Sequence, residues 1–245
     1  MTHLSVNINK VALLRNSRGR DYPSVKVFAE RCLQLGAHGI TLHPRPDQRH
    51  ARYSDVAELR RLVDRFPGTE LNVEGNPTPE FLDVVTAAKP DQCTLVPDAP
   101  GQLTSDHGWN VRAEAARLEP ILARLRDAGV RSSLFVDFDS PDLALARQLG
   151  ADRVELYTEP YAVAFENPAE RTRVRDAFGR EAATARAAGL GVNAGHDLNL
   201  QNLPFFLEIP GILEVSIGHA LTVECIEHGI HTVLESYLKI VRASA

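Results

Sequence analysis

Short apolar runs alternate with longer amphipathic stretches along most of the chain. Residues 4–8, 39–42, 70–74, 92–96, 132–136, 153–157, 190–194 and 213–217 form runs rich in Val, Ile, Leu and Thr, and predict eight strands. Helical spacing fills the intervals. One helix begins near Pro23-Ser24, carries Val25, Val27, Phe28, Cys32, Leu33 and Leu35, and stops at Gly36. A second spans 54–66 with Val56, Leu59, Leu62 and Val63 on one face, and Pro67-Gly68 terminates it. A third follows the Thr cap and first-turn Pro of Thr78-Pro79-Glu80. Further helices are expected at 111–128, 140–149, 169–188 and 200–208, with one long final helix after Gly218-His219. Residues 15–20 read as a polar loop and 97–110 as a longer one.

Leu35-Gly36-Ala37-His38-Gly39-Ile40-Thr41-Leu42 is echoed by Leu149-Gly150-Ala151-Asp152-Arg153-Val154-Glu155-Leu156, a helix ending at Gly with a strand following at once. Eight strand-plus-helix units predict an α/β protein, an eightfold β/α (TIM) barrel, as a single domain over residues 1–245. A doubly wound open sheet is the competing solution, because periodicity does not report closure.

Composition narrows the function classes. The chain has 245 residues, 44% hydrophobic and 24% charged, enough for one substantial core. Lys and Arg total 27 against 32 Asp and Glu, so no basic field invites nucleic acid or an anionic membrane. Cys32, Cys93 and Cys225 are odd in number and lack metal-ligand spacing, so neither a disulfide framework nor a metal site is expected, and a reducing cytoplasm fits. The first residues enter a strand pattern directly, and no apolar run reaches membrane-spanning length, so neither export nor anchoring is expected.

Chemistry concentrates in His43-Pro44-Arg45-Pro46-Asp47-Gln48-Arg49-His50, directly after the second strand. Two imidazoles and two guanidiniums beside two prolines make a stiff basic loop, suited to an anionic substrate near a proton-transfer group. Other strand ends carry Asn7, Asn9 and Lys10, then Glu74, Thr104, Gly195-His196-Asp197 and Gly218-His219. In a barrel these positions converge on one face, and that convergence points to an enzyme. Gly218-His219 opens a helix and fits a phosphate site, and Arg18 stands in a loop from which it can close over a second anion. His3, His38, His107, His228 and His231 read as surface or helix residues, and Trp109 as packing or ligand contact. Asp137 and Glu155 lie in or near strands without an assignable role. Val223, Ile226, Ile230, Val233, Leu234 and Leu238 read as core or a subunit contact.

Ser5-Val6-Asn7-Ile8, Leu14-Arg15-Asn16-Ser17-Arg18-Gly19 and Gly39-Ile40-Thr41-Leu42-His43-Pro44-Arg45 resemble the pyridoxine 5′-phosphate synthase family. So do Asp47 to His50, Leu71-Asn72-Val73-Glu74, Thr94-Leu95-Val96-Pro97, Val192-Asn193-Ala194-Gly195-His196 and Ile217-Gly218-His219-Ala220, in order and nearly end to end. The resemblance implies a β/α barrel with extra helices, no metal or organic cofactor, and a homo-octamer built as a tetramer of dimers. It implies ring closure between 3-amino-2-oxopropyl phosphate (1-amino-acetone 3-phosphate) and 1-deoxy-D-xylulose 5-phosphate. By the same resemblance His43 and Glu74 are proton acceptors and His196 a proton donor. Asn7, Arg18, Gly218 and His219 then hold the amino-ketone phosphate, and Arg45, His50 and Thr104 the deoxyxylulose phosphate.

Two departures stand out. Asn9-Lys10 replaces the Asp-His of many family members, and Asp197 replaces a Gly, so Lys10 and Asp197 are expected to compensate each other or Lys10 to contact phosphate. Lys10 also supports a competing reading, a Schiff-base aldolase acting on a sugar phosphate. A non-catalytic phosphate-ligand sensor is the third.

Overall fold

The computed structural model describes residues 1–98 and 105–244. Eight parallel strands, β1 (His3–Asn7), β2 (Gly39–Leu42), β3 (Glu70–Gly75), β4 (Gln92–Leu95), β5 (Arg131–Val136), β6 (Arg153–Tyr157), β7 (Gly191–Gly195) and β8 (Ile212–Ile217), form a closed barrel in sequence order. β1 closes it, pairing Val6 with Ile40 on one side and with Ile217 on the other. Closure removes the open sheet from consideration and brings all eight strand ends to one rim.

Along each strand the side chains alternate between two environments. Leu4, Val6 and Ile8, then Ile40 and Leu42, Leu71 and Val73, Val154 and Leu156, and Val215 and Ile217 are all buried in the main core beneath the helices. The intervening residues turn into the lumen, where Ser5 Oγ meets Thr41 Oγ1 at 2.7 Å and Asn72 accepts from Thr94 Oγ1 at 3.1 Å. Deeper in, Gln92 donates to Glu214 at 3.4 Å and accepts from Arg131 Nε at 3.1 Å and Asn193 Nδ2 at 3.3 Å. Arg131 also pairs with Glu70. The lumen is therefore held by hydrogen bonds, each of which offsets the desolvation of a buried polar group. Toward the rim it turns apolar, with Val96, Phe135 and Tyr157 packed as a separate cluster.

The helices are α1 (Asn9–Asn16), α2 (Val25–Gln34), α3 (Tyr53–Val63), α4 (Pro79–Ala88), α5 (Ala115–Asp127), α6 (Leu143–Gln148), α7 (Glu159–Phe165), α8 (Pro168–Ala187), α9 (Leu203–Phe206), α10 (His219–His228) and α11 (Ile230–Ala243). Thr78 caps α4 as its sequence suggests, accepting from the Phe81 N–H at 3.2 Å with Pro79 in the first turn. The helix-ending glycines of the internal echo, Gly36 and Gly150, take φ of +100° and +102°, a region that favours glycine. Among the described residues no helix is long and apolar enough to cross a membrane.

Four expectations are corrected. An unanticipated helix follows β1 and takes in the start of the expected loop: α1 buries Val11, Ala12 and Arg15, an i, i+1, i+4 stripe masked in sequence by the exposed Leu13 and Leu14. Helix α7, inserted after β6, was not anticipated; it buries Tyr161 against Phe178 and Phe206. The charged helix begins at Ala115 rather than residue 111. The long final helix is two helices, because Gly229 takes φ +81° and ψ 144°, a conformation almost confined to glycine. The apolar stripe divides accordingly: Val233, Leu234 and Leu238 on α11 are core, while Val223 and Ile226 on α10 are exposed.

Phe178 of α8 ties the inserted α7, α9 and the loop after β5 together, stacked on Phe138 at 4.7 Å and edge-on to Tyr161 and Phe206. It is fully buried, so Phe178→Ala is expected to cost about 3–5 kcal/mol in urea denaturation.

Candidate active site

At the rim, the end of β1 organises its neighbours. Asn7 Nδ2 donates to Glu74 Oε2 at 3.3 Å, and Asn7 Oδ1 accepts from the Asn9 N–H at 3.0 Å. Asn9 Oδ1 in turn accepts from the His43 N–H at 2.8 Å. Two asparagines thus tie the ends of β1, β2 and β3. Gly218 closes on them from β8: a Cβ there would lie 3.0 Å from Asn7 Cβ and 3.1 Å from Asn7 Cγ. Glycine is needed for that close approach.

His43 and Arg45 are buried, and the His43 and His50 rings meet edge-on with centroids 5.7 Å apart. Burial first, then Arg45 and Arg49, pushes the His43 imidazole down to about 3 against the opposing effect of Asp47. Burial, His43, Arg45 and Arg49 bring His50 down to about 3 as well. Both rings are neutral at physiological pH and can accept a proton. Arg45 pairs with Asp98, which follows β4, so the guanidinium is fixed between two strand ends.

The loop carrying these groups is clamped from outside the rim. Asn16 Nδ2 faces the carbonyls of Gln48, Arg49 and His50 at 3.1, 3.1 and 2.7 Å. Arg15 donates to the His50 carbonyl at 3.2 Å and makes a two-pronged pair with Asp55 at 2.7 and 2.9 Å. Asp55 also accepts from the Arg52 N–H at 2.7 Å, starting α3. The predicted basic loop is therefore rigid, through contacts that its own sequence does not contain.

Glu74 lies next to the end of β3 at the top of the lumen. Burial, then Glu214 and Asp98, holds its carboxyl well above the ordinary range, against the Asn7 hydrogen bond. Below it Glu155 is raised by burial and by Glu74 and Glu214, and accepts from Thr94 Oγ1 at 3.4 Å. Gly195 leaves room for that carboxyl, since a Cβ at 195 would lie 2.3 Å from Glu155 Oε1. Burial raises Glu214 to about 7.

His196 and Asp197 follow β7 in left-handed backbone, at φ +92° and +59°. Thr158 Oγ1 pins this turn through the carbonyls of Gly195, at 2.8 Å, and of His196, and Asn202 Nδ2 donates to the Asp197 carbonyl at 3.1 Å. The His196 ring lies edge-on to Tyr157 with centroids 5.0 Å apart, and its Nδ1 is 2.9 Å from Asp197 Oδ2. Lys10 and His219 both act electrostatically on Asp197, keeping its carboxyl below the ordinary range after the larger effect of the His196 hydrogen bond.

Asn7, Asn9, His43, Arg45, His50, Glu74 and Gly218 thus occur at connected strand ends; His196 and Asp197 pair in the turn after β7, with Lys10 of α1 and His219 of α10 within electrostatic reach of Asp197. Arg18 stands apart, exposed in the turn beyond α1, a helix that carries the chain about 12 Å from the end of β1. Thr104 lies outside the described residues. Lys10 is exposed, which denies it the desolvation that activates a Schiff-base lysine. Asp98, Tyr157 and Glu155 were not assigned from sequence. For Glu155 the available signal was period-two alternation, Val154-Glu155-Leu156-Tyr157, which turns Glu155 to the same face as Tyr157. Among the described residues no group of three or more His, Cys, Asp or Glu is placed to hold a metal ion.

Two tests follow from this geometry. The folded His43 and His50 values lie below the unfolded 6.5, so their stability contribution is fully present above that pH and is lost as pH falls toward 3. Urea titrations at pH 7 and pH 5 should show a loss of about 1–2 kcal/mol traceable to His43 and missing in His43→Asn. Asp55→Ala strands the buried Arg15 and should cost about 3–5 kcal/mol, with less lost when Arg15→Met is added.

A family model described as "Pyridoxal phosphate biosynthesis protein PdxJ" matches residues 4–243. A protein of Xanthomonas campestris pv. campestris named pyridoxine 5′-phosphate synthase is 50% identical over 252 aligned positions, covering 100% of this chain and 98% of that protein. One of the same name from Mesorhizobium japonicum is 49% identical over 238 positions, covering 96% and 97%. Among solved structures, a mutant tryptophan synthase α-subunit from Pyrococcus furiosus aligns with TM-score 0.63 at 15% identity, covering 98% of this chain and 97% of that one. TrpF from Jonesia denitrificans aligns with TM-score 0.61 at 15% identity, covering 100% and 98%; likeness at this level shows the barrel fold alone. With the family model matching nearly end to end and relatives at about half identity across their full length, the chain belongs to the PdxJ family of pyridoxal phosphate biosynthesis proteins.

Proposed function

We propose that this chain is a pyridoxine 5′-phosphate synthase that joins 3-amino-2-oxopropyl phosphate to 1-deoxy-D-xylulose 5-phosphate, giving pyridoxine 5′-phosphate, phosphate and water. The observation that carries the reading is the placing of three proton-transfer groups, His43 after β2, Glu74 on β3 and His196 after β7, at one rim of a barrel of this family. The chemistry needs several such groups. An amine condenses with a ketone, carbons beside a carbonyl or imine lose protons, and water and phosphate depart.

In this reading His43, held neutral by burial, accepts a proton, and His196 donates one. Glu74 carries its proton in the free protein; the ammonium of the amino-ketone supplies the opposite charge that favours its ionised, accepting form. Asn7, Gly218 and His219 hold the amino-ketone phosphate at the start of α10, where backbone N–H groups and the helix dipole favour an anion. Arg45 and His50, with Thr104, hold the deoxyxylulose phosphate, and Lys10 screens the two anions. Arg18 joins them by closing over the bound phosphate from the turn beyond α1. No metal or organic cofactor takes part. The working unit is a single barrel domain in a cytoplasmic homo-octamer, for which the exposed Leu14, Val163 and Ile226 offer apolar contact surface.

The test is to mix the purified protein with both phosphates and follow pyridoxine 5′-phosphate and inorganic phosphate together. Both should form, and turnover should fall by about 100-fold or more in Glu74→Gln and in His196→Asn. Ligand-induced stabilisation without either product would instead favour a binding protein that lacks turnover.

A further inference from the structure

Asp197 is the residue of the rim whose contacts differ most from a substrate ligand's. Its carboxylate turns to its neighbour, with Oδ2 2.9 Å from His196 Nδ1. A carboxylate beside two phosphate-bearing reactants would repel them if it faced the pocket bare, and here His196 engages it directly, with Lys10 of α1 and His219 of α10 within electrostatic reach. The other charged or titratable groups around the pair are Tyr157, edge-on to the His196 ring, and Glu159, Asp106 and Asp137, which act on that phenol together with Asp197. The backbone supports the same pairing. His196 and Asp197 are consecutive non-glycine residues at positive φ, and such conformations persist only where surrounding structure over-determines them. Thr158 and Asn202 supply that constraint through three carbonyl contacts. The turn is thus held in a shape that aims one carboxylate at one imidazole nitrogen.

We propose that Asp197 is a positioning residue for His196: its carboxylate accepts the Nδ1–H of the imidazole and leaves Nε2 as the nitrogen that delivers a proton to the substrate. This rests on His196 being the proton donor of the proposed synthase. The proton balance is simple. As a C–O bond of the substrate breaks, its electron pair goes to oxygen and the Nε2 proton completes the departing water, while an adjacent C–H bond gives its proton to an acceptor of the rim and its electron pair to the new C=C bond. The imidazole is left neutral with its proton on Nδ1, the tautomer that Asp197 holds. At position 197 this chain supplies an acceptor for the far side of the ring.

The position allows an uncluttered test, because Asp197 sits at φ +59° and glycine is at ease there. Asp197→Gly removes the carboxylate without asking the backbone to move, and its melting temperature should not fall. Protein labelled with 15N-histidine, with the His196 signals assigned by their loss in His196→Asn, reads the tautomer without any substrate. Wild type at alkaline pH should show His196 protonated on Nδ1. Asp197→Gly should shift it to the Nε2–H form and lower kcat by about 10–100-fold, with the KM for each phosphate within about twofold. The same tautomer in both proteins would overturn the proposal, and so would an unchanged kcat with altered KM, which would mark Asp197 as a substrate ligand. Failure of the wild type to make pyridoxine 5′-phosphate would remove the proposed function, while the nitrogen signals would still decide the pairing.

Discussion

Two-residue alternation inside a closed barrel is the constraint on which the rest of this structure depends. Every strand must turn one face outward to the helices and one inward to a lumen that no helix covers. Here the outward face is predominantly apolar, and the inward face carries Ser5, Thr41, Asn72, Gln92, Thr94, Glu155, Asn193 and Glu214, all buried. These side chains hydrogen-bond around the barrel from strand to strand. A layer of this kind makes register costly to lose, since a shift of one residue would expose the polar set to the helices and strand the apolar set in the lumen. It also sets the electrostatics of the rim above it. Carboxyls stacked in poorly solvated space cannot all ionise, so Glu74, Glu155 and Glu214 are each pushed upward.

The same enclosure acts with opposite sign on the basic side of the site. His43 and His50 lie among guanidiniums, and burial with like charge keeps both rings neutral. Neutral imidazoles and a proton-holding carboxyl therefore occur together near neutral pH, a combination suited to general acid–base chemistry. On β7 the solution is different: His196 is half-exposed, braced by Tyr157 and by a neighbouring carboxylate, on backbone held in a strained turn. One rim thus carries two kinds of histidine environment, separated by which groups face each ring rather than by distance along the chain.

Rigidity at the rim comes from hydrogen bonds and one ion pair among residues that carry no proton in the proposed reaction. Asn7 and Asn9 fix the ends of three strands, and Asn16, Arg15 and Asp55 fix the carbonyls of the His43 loop. Arg15 and Asp55 are nearly inaccessible to solvent, so this pair is embedded in the protein and acts on the site through the loop it holds. The chain links are direct: a helix at the end of β1 grips the loop after β2, and that grip sets where His43 and His50 meet.

Much of this protein was legible in its residues alone. Strand positions, helix caps such as Thr78, and the family motifs around His43, Glu74 and His196 are local patterns, and local patterns are written in order along the chain. So were the two departures, Lys10 and Asp197. The missed elements have local causes too: α1 hides its buried stripe behind exposed leucines, and a single glycine at 229 breaks what periodicity extends as one helix. What only the tertiary structure decided is which charges face one another. The tertiary fold brought Asp98 to Arg45 and Asp55 to Arg15, residues 53 and 40 positions apart in the chain, and set Lys10 and His219, 187 and 22 positions away, within electrostatic reach of Asp197. A residue type shows which proton a side chain can carry. Whether it carries that proton depends on burial and on neighbours, and neighbours of this kind are set by the closing of the sheet.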